Sequence, residues 1–339
     1  MMNDENALSS GLAELMETLA NAGALPWDNP DAAVAAIPDA SLRLLNEGWL
    51  AYLRGDFEQT KQSLRAISSE PVRLYASALA VAAAACTGDY PLFQKTEAYC
   101  KNLMNAGLGA NVTAVAEWAL SVAYASAYVP AMIPDWMKAG DYSVLPPPLR
   151  QEAIHLRARW LLFEKKYASA LDVAQTGLAF YERGQGVSPL GISARILRVA
   201  ACSMLGRWED AKSYLLEVMR DCLPLGFTVP FADIAPLFGN LLETCFTGEF
   251  AGLYDTVMKQ SKYTVTNWLD IHNRLTKDSI TLVLPPRYYQ IALFVAQGDS
   301  RKDIAARFNI SVGRLGNIID AIYSSLHINN RKDLANFIL

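Results

Sequence analysis

The residues of this 339-residue chain whose type and spacing could do chemistry are basic side chains on two short apolar-periodic segments near the C-terminus. Between Thr281 and Leu339 stand Arg287, Arg301, Lys302, Arg307, Arg314, Arg331 and Lys332 against Asp299, Asp303, Asp320 and Asp333, a net +3. The whole chain carries −4, so the remainder is −7. A cationic tail on an anionic body suits the holding of a polyanion.

Catalytic constellations are not legible. The chain has no GxxxxGKS phosphate loop and no GxSxG elbow. His155 lies close to Arg157 and Arg159 and reads as a packing or surface histidine. Glu209-Asp210, and Asp278 beside Lys277, read as helix caps and surface charge. No acidic receiver pattern implies phosphorylation control. Three histidines spell no zinc cluster, and the five cysteines include no CxxC pair, so buried free thiols in a reducing compartment are expected. The reading is a non-enzyme without a cofactor.

The elements that must position the basic residues can be read from their spacing. A helix from Arg287 to Gln297 stops at Gly298, a C-cap residue. Ile304, Ala305 and Phe308 share one face of the next helix, Asn309 turns the chain, and Ile310 plugs the angle. Ser311 then caps a longer helix with Leu315, Ile319, Ile322 and Leu326 on one face. Arg331 to Ile338 forms a fourth helix. A helix, a tight turn and a longer helix make a helix-turn-helix.

These residues resemble the LuxR-type DNA-binding domain, a four-helix module of bacterial transcription regulators. The matching landmarks are Leu284, Pro286, Arg287, Ile291, Ala292, Ala296, Gly298, Ser300, Lys302, Asp303, Ile304 and Ala305. They continue, without gaps, through Ile310, Ser311, Leu315, Asn317, Ile322, Tyr323, Leu326, Ile328, Arg331 and Asp333. The resemblance implies a dimer bound to double-stranded DNA at a two-fold site. Arg314 and Asn317 would then read base edges, since Arg suits guanine and Asn suits adenine. Arg301, Lys302, Ser311 and Arg331 would hold phosphates. The chain departs from the family at Gly316 and Ser325, where Lys is usual, and at Ile318, where His is frequent. Arg314 and Asp320 are the ionisable residues from Val312 to Leu326, so that helix is formally neutral. Its outward face should hold Gly313, Asn317, Asp320, Ala321 and Ser324, with Arg314 and Gly316 at the edges.

The body upstream reads as nearly all α: apolar residues make up 52% and alternating strands are almost absent. After a first helix (Leu8 to Ala20) and a Pro-punctuated stretch, one turn recurs: Gly55-Asp56-Phe57, Gly88-Asp89-Tyr90, Gly206-Arg207-Trp208 and Gly248-Glu249-Phe250, with Lys165-Lys166-Tyr167 as a degenerate copy. These segments resemble tetratricopeptide repeats, whose antiparallel helix pairs stack into a right-handed α-solenoid. The expected architecture is therefore all-α, with a tetratricopeptide-like solenoid over 1–260, a linker over 261–280 and the four-helix LuxR-type module over 281–339. Ser261 to Thr266 reads as a turn and Asn267 to Leu275 as a short helix. The linker has no Gly/Ser-rich run, so limited domain motion is expected.

Val129 to Arg150, with Pro130, Pro134 and Pro146 to Pro148, interrupts the array. It reads either as a loop lining the inner groove or as a connector whose aromatics cover a repeat interface; Leu223 to Pro236 reads likewise. No signal peptide is evident, and Val112 to Ile133 reads as a buried Ala-rich helix, so a cytoplasmic protein without membrane contact is expected. Two functions fit. One is a transcription regulator whose solenoid groove takes a small-molecule or protein effector. The other is an interaction scaffold whose helix-turn-helix no longer binds DNA.

Overall fold

The computed structural model describes residues 2–338 except 22–24, 128, 182–185, 236–237, 239–240, 278–283, 285 and 327. Its regular structure is helical throughout, with 19 α-helices and no strand among the described residues. No helix among those residues is long and apolar enough to cross a membrane.

The recurring turn has a physical basis. Helix α3 (Ala40–Arg54) ends at Gly55, which takes a φ of +83° that an L side chain would resist. Gly55 N–H donates to the Tyr52 carbonyl and Asp56 N–H to the Ala51 carbonyl, so the last carbonyls of the helix are satisfied. The Asp56 carboxylate then accepts from Gln59 N–H and caps helix α4 (Phe57–Ala66), while Phe57 is buried as its first residue. Gly88 and Asp89 repeat the device between α5 (Glu70–Thr87) and α6 (Tyr90–Asn105). Gly206 and Arg207 use the same pair of backbone bonds between α11 (Pro189–Met204) and α12 (Trp208–Cys222).

The degenerate copy keeps the geometry without its glycine. Lys165, between α9 (Pro147–Phe163) and α10 (Tyr167–Tyr181), has φ 57° and makes the same two bonds. A left-handed lysine costs about 1 kcal/mol. The turn at Gly248 is different: it opens a 3₁₀ stretch, Gly248–Leu253, that leads straight into α15 (Tyr254–Thr276). No hairpin forms there, because the helix before it, α14 (Leu241–Cys245), is a single turn.

The first helix of each pair stacks on the first of the next. Helices α3, α5, α7 (Ala110–Ser126), α9 and α11 touch in succession. Small residues permit this: Ala83, Ala84 and Ala85 of α5 are fully buried between neighbours on several sides. The arc then closes on itself. Helix α13 (Val229–Ile234) touches both α3 and α11, and α15 lies against α5 and α13. Arg54 Nε donates to the Leu225 carbonyl at 3.2 Å, and its guanidinium lies 5.6 Å from the Phe227 ring centroid. Two more bonds fasten α15: Asn267 to the Cys86 carbonyl at 2.8 Å, and Thr228 to Gln260 at 2.7 Å. Helix α1 (Met2–Asn21) packs across α5, α7 and α9 through Leu8, Leu12, Leu15 and Met16.

Two expectations are corrected here. Ser261 to Thr266 is no turn: it lies inside α15, where Ser261, Thr264 and Val265 are buried. The expected short helix, Asn267 to Leu275, is the second half of that same helix, and residues 278–283 of the expected linker lie outside the described residues, with Asp278 among them. In Val129 to Arg150, the aromatics cover helices: Trp136 is buried, donates to Glu117 of α7 at 2.6 Å and meets Tyr142 edge-on. The short helix α8 (Asp135–Ala139) packs on α9. This is the connector arrangement. All five cysteines are buried and unbridged. Burial pushes the Cys86 and Cys222 thiols up to about 12, which leaves them unreactive.

Candidate nucleic-acid interface and its junction with the body

The C-terminal module is built from the same turn as the body. Helix α16 (Pro286–Gln297) ends at Gly298, φ +95°, with Gly298 N–H on the Val295 carbonyl and Asp299 N–H on the Phe294 carbonyl. Ser300 accepts from Asp303 N–H at 3.1 Å and caps α17 (Arg301–Arg307). Asn309 then turns the chain at φ 49°, a conformation its short polar side chain tolerates. Ser311 Oγ accepts from Arg314 N–H at 3.1 Å and caps α18 (Val312–Ser325). Helix α19 (Arg331–Ile338) packs back on α16.

The apolar stripe of α18 is wider than the sequence pattern suggests. Ile318 joins Leu315, Ile319 and Ile322 in burial, on the helix that packs against α16 and α17. Ile318 is therefore part of the core. Gly313, Arg314, Asn317, Asp320, Ser324 and Ser325 are exposed, while Ala321 and Gly316 are half-buried.

All six sequence-predicted site residues reach solvent: Arg301, Lys302, Ser311, Arg314, Asn317 and Arg331. Three of the arginines have charged or aromatic neighbours that place them. Burial raises the Tyr323 phenol, and Arg301 and Arg331 both lie close enough for their charges to oppose that rise in part. The Arg331 guanidinium also lies over Gly298, in the space that a Cβ would take. Arg314 sits near Arg287 instead. Burial, then the Arg314 charge, disfavour the Arg287 cation, which donates to the Phe308 carbonyl at 3.2 Å. Asp320 also lies near Tyr323 and brings negative charge there.

The sequence reading missed the junction that holds this module to the body. Lys165 Nζ lies 2.8 Å from Asp299 Oδ2 and 5.2 Å from the Phe294 ring centroid. Arg307 reaches the same Asp299 oxygen at 2.6 Å and lies over both Tyr167 and Phe294. A second contact joins α15 to α16: the rings of His272 and Tyr289 meet edge-on, with Tyr289 Oη 3.4 Å from His272 Nε2. His272 Nδ1 bonds the Ala127 carbonyl at 2.8 Å, which anchors the ring to the end of α7. The available signal was the lysine standing where the other repeat turns have glycine. These contacts use the near side of α16 and α17 and leave the outward face of α18 open to solvent.

No family model, curated protein or solved structure matches this chain.

Proposed function

We propose that the chain is a DNA-binding transcription regulator of LuxR type, in which a tetratricopeptide-like helical body controls the C-terminal helix-turn-helix. The observation that carries this reading is the exposed face of α18, with Arg314 and Asn317 at its start and Arg301, Lys302, Ser311 and Arg331 beside it. Helix α18 enters the major groove; Arg314 and Asn317 contact base edges, and the four flanking residues contact phosphates. Ser311 keeps its hydroxyl proton for a phosphate, because the cap uses the oxygen only as an acceptor. The bound form is a homodimer on a two-fold site.

A gel shift with genomic fragments at low and moderate salt tests the reading. Binding should be fragment-selective and weaken steeply with salt. Arg314→Ala should relax selectivity, and Lys302→Ala should weaken all fragments alike. One observation favours a second reading, a protein-binding scaffold: Asp320 lies exposed on the face that would meet phosphates, on a helix of zero net charge. Failure to retain any fragment at low salt would select the scaffold.

A further inference from the structure

Arginines that turn inward in this molecule meet acids. Arg54, Arg159, Arg195, Arg198 and Arg307 each reach a carboxylate, at 2.6 to 3.3 Å. Arg159 and Asp233 face a hollow at the centre of the helix arc, so charge is matched even there. Arg287 and Arg314 differ. Neither pairs with a carboxylate among the described residues, and the Arg314 side chain donates to none of them. The sequence reading counted Arg287 as a basic residue and gave it no role.

Both side chains stand at the entry to α18. Arg287 is the second residue of α16, and its Nη2 donates to the Phe308 carbonyl at 3.2 Å. Phe308 caps α17, three residues before Ser311 caps α18, and α16 packs on α18. Arg314 is the third residue of α18 and is exposed. The other ionisable groups near Arg287 are two phenols, Tyr254 and Tyr288. A half-buried cation beside a second cation is unfavourable until an anion joins them. The helix end favours the same anion. The N–H groups of Val312 and Gly313 have no partner among the described residues, and nothing lies within 4 Å of the place a Gly313 Cβ would take. A guanidinium fork beside free N–H groups matches a phosphate. The site is open on the outside of the module, with Val312, Gly313 and Arg314 all exposed. A free phosphate there would keep most of its water, whereas a phosphate carried on a polymer is held by its neighbours as well.

We propose that Arg287 is a DNA-contacting residue, which with the N-terminal end of α18 holds one backbone phosphate where that helix enters the major groove. Its charge keeps Arg314 away from that phosphate and leaves it to the base edge. The assignment rests on the DNA-binding reading. It adds a cation, supplied by α16, to a recognition helix that is formally neutral.

Duplex binding by the full chain, measured over a range of salt on one retained genomic fragment and on its scrambled copy, tests the assignment. Arg287→Gln removes the charge and keeps a donor for the Phe308 carbonyl; Arg287→Met removes both; Arg287→Lys keeps the charge. Each neutral variant, with a far-UV spectrum as helical as wild type, should bind both duplexes about tenfold more weakly. The slope of log affinity against log salt should become shallower by about 0.9, one phosphate's worth. The preference for the retained fragment should not change, and Arg287→Lys should keep the wild-type slope. A purely structural role would weaken the Met variant, spare the Gln variant and leave the slope alone. The assignment is overturned by a folded neutral variant with the wild-type slope, or by one that loses fragment preference as Arg314→Ala should. Either result leaves the DNA-binding reading standing, because wild type still binds. A wild-type chain that retains no duplex ends that reading and this assignment together.

Discussion

Lys165 Nζ and Asp299 Oδ2 meet at 2.8 Å across the junction between the helical body and the C-terminal module, and the lysine does so from a left-handed backbone position. Glycine would serve the turn better, at a gain of about 1 kcal/mol. The side chain is kept at a position where its backbone is strained, which marks the contact as the reason for the residue.

Lys165→Gly should therefore separate two properties. The body should lose no stability, since the relieved strain offsets an ion pair worth up to about 1 kcal/mol at this partial exposure. Amide hydrogen exchange in α16 and α17 should accelerate. Asp299→Asn should do the same and more, because it releases Lys165 and Arg307 together. Unchanged exchange in both variants would mean that the module is held by the His272–Tyr289 contact instead.

Asp320→Lys should strengthen binding to duplex on all fragments alike. It removes an exposed negative charge and adds a positive one on the outward face of α18. The slope of log affinity against log salt should steepen by about 0.9 for each additional phosphate neutralised. Affinity that stays flat would place the duplex elsewhere on the module.

The stability that Glu152 and His155 contribute should hold a plateau between about pH 4.5 and 6.5 and fall on either side of it. Burial raises the Glu152 carboxyl to about 8, against a lowering hydrogen bond from Tyr75. A carboxyl raised on folding binds its proton more tightly when folded, so its contribution is complete at acid pH and is lost as pH climbs from about 4.5 to about 8. His155 is depressed to about 3, so its contribution rises with pH until about 6.5 and is then constant. The two cancel between about 4.5 and 6.5, and below 4.5 His155 acts alone. Above 6.5 Glu152 acts alone, with a slope approaching about 1.4 kcal/mol per pH unit. Urea unfolding of Glu152→Gln should show that alkaline limb flattened; an unaltered limb would exclude Glu152 as its origin.

Ala84→Leu should lower stability by about 1–3 kcal/mol, measured as a fall in urea midpoint. Ala84 is fully buried on α5, which packs against α3, α6, α7 and α15. The same exchange at Ala168, exposed on α10, should stay within about 0.5 kcal/mol. Equal losses at both sites would contradict the close packing of α5.

The repeat turns were legible in the sequence because each residue does a local job. Glycine adopts the left-handed φ, aspartate caps the next helix and the aromatic plugs the hairpin, so Gly55-Asp56-Phe57 announces itself in three letters. The ends of α17 and α18 were legible for the same reason, through Asn309 and Ser311. Ser261 to Thr266 misled because its β-branched and polar residues favour helix weakly. Burial of Val265, Trp268 and Ile271 against α5 and α13 overrides that preference. The closing of the arc has no local signal. Arg54 and Leu225 are separated by 171 positions, and nothing in either neighbourhood names the other.

That clasp between Arg54 and Leu225 has a consequence for how such a body can change over generations. An open row of hairpins tolerates duplication of a unit, because each unit answers only to its neighbours. A row fastened end to end does not, since one extra hairpin would pull the clasp apart and strip α13 from α3. Variation is left to the loops and to the residues facing the central hollow, where a new side chain alters what fits inside without altering the circumference.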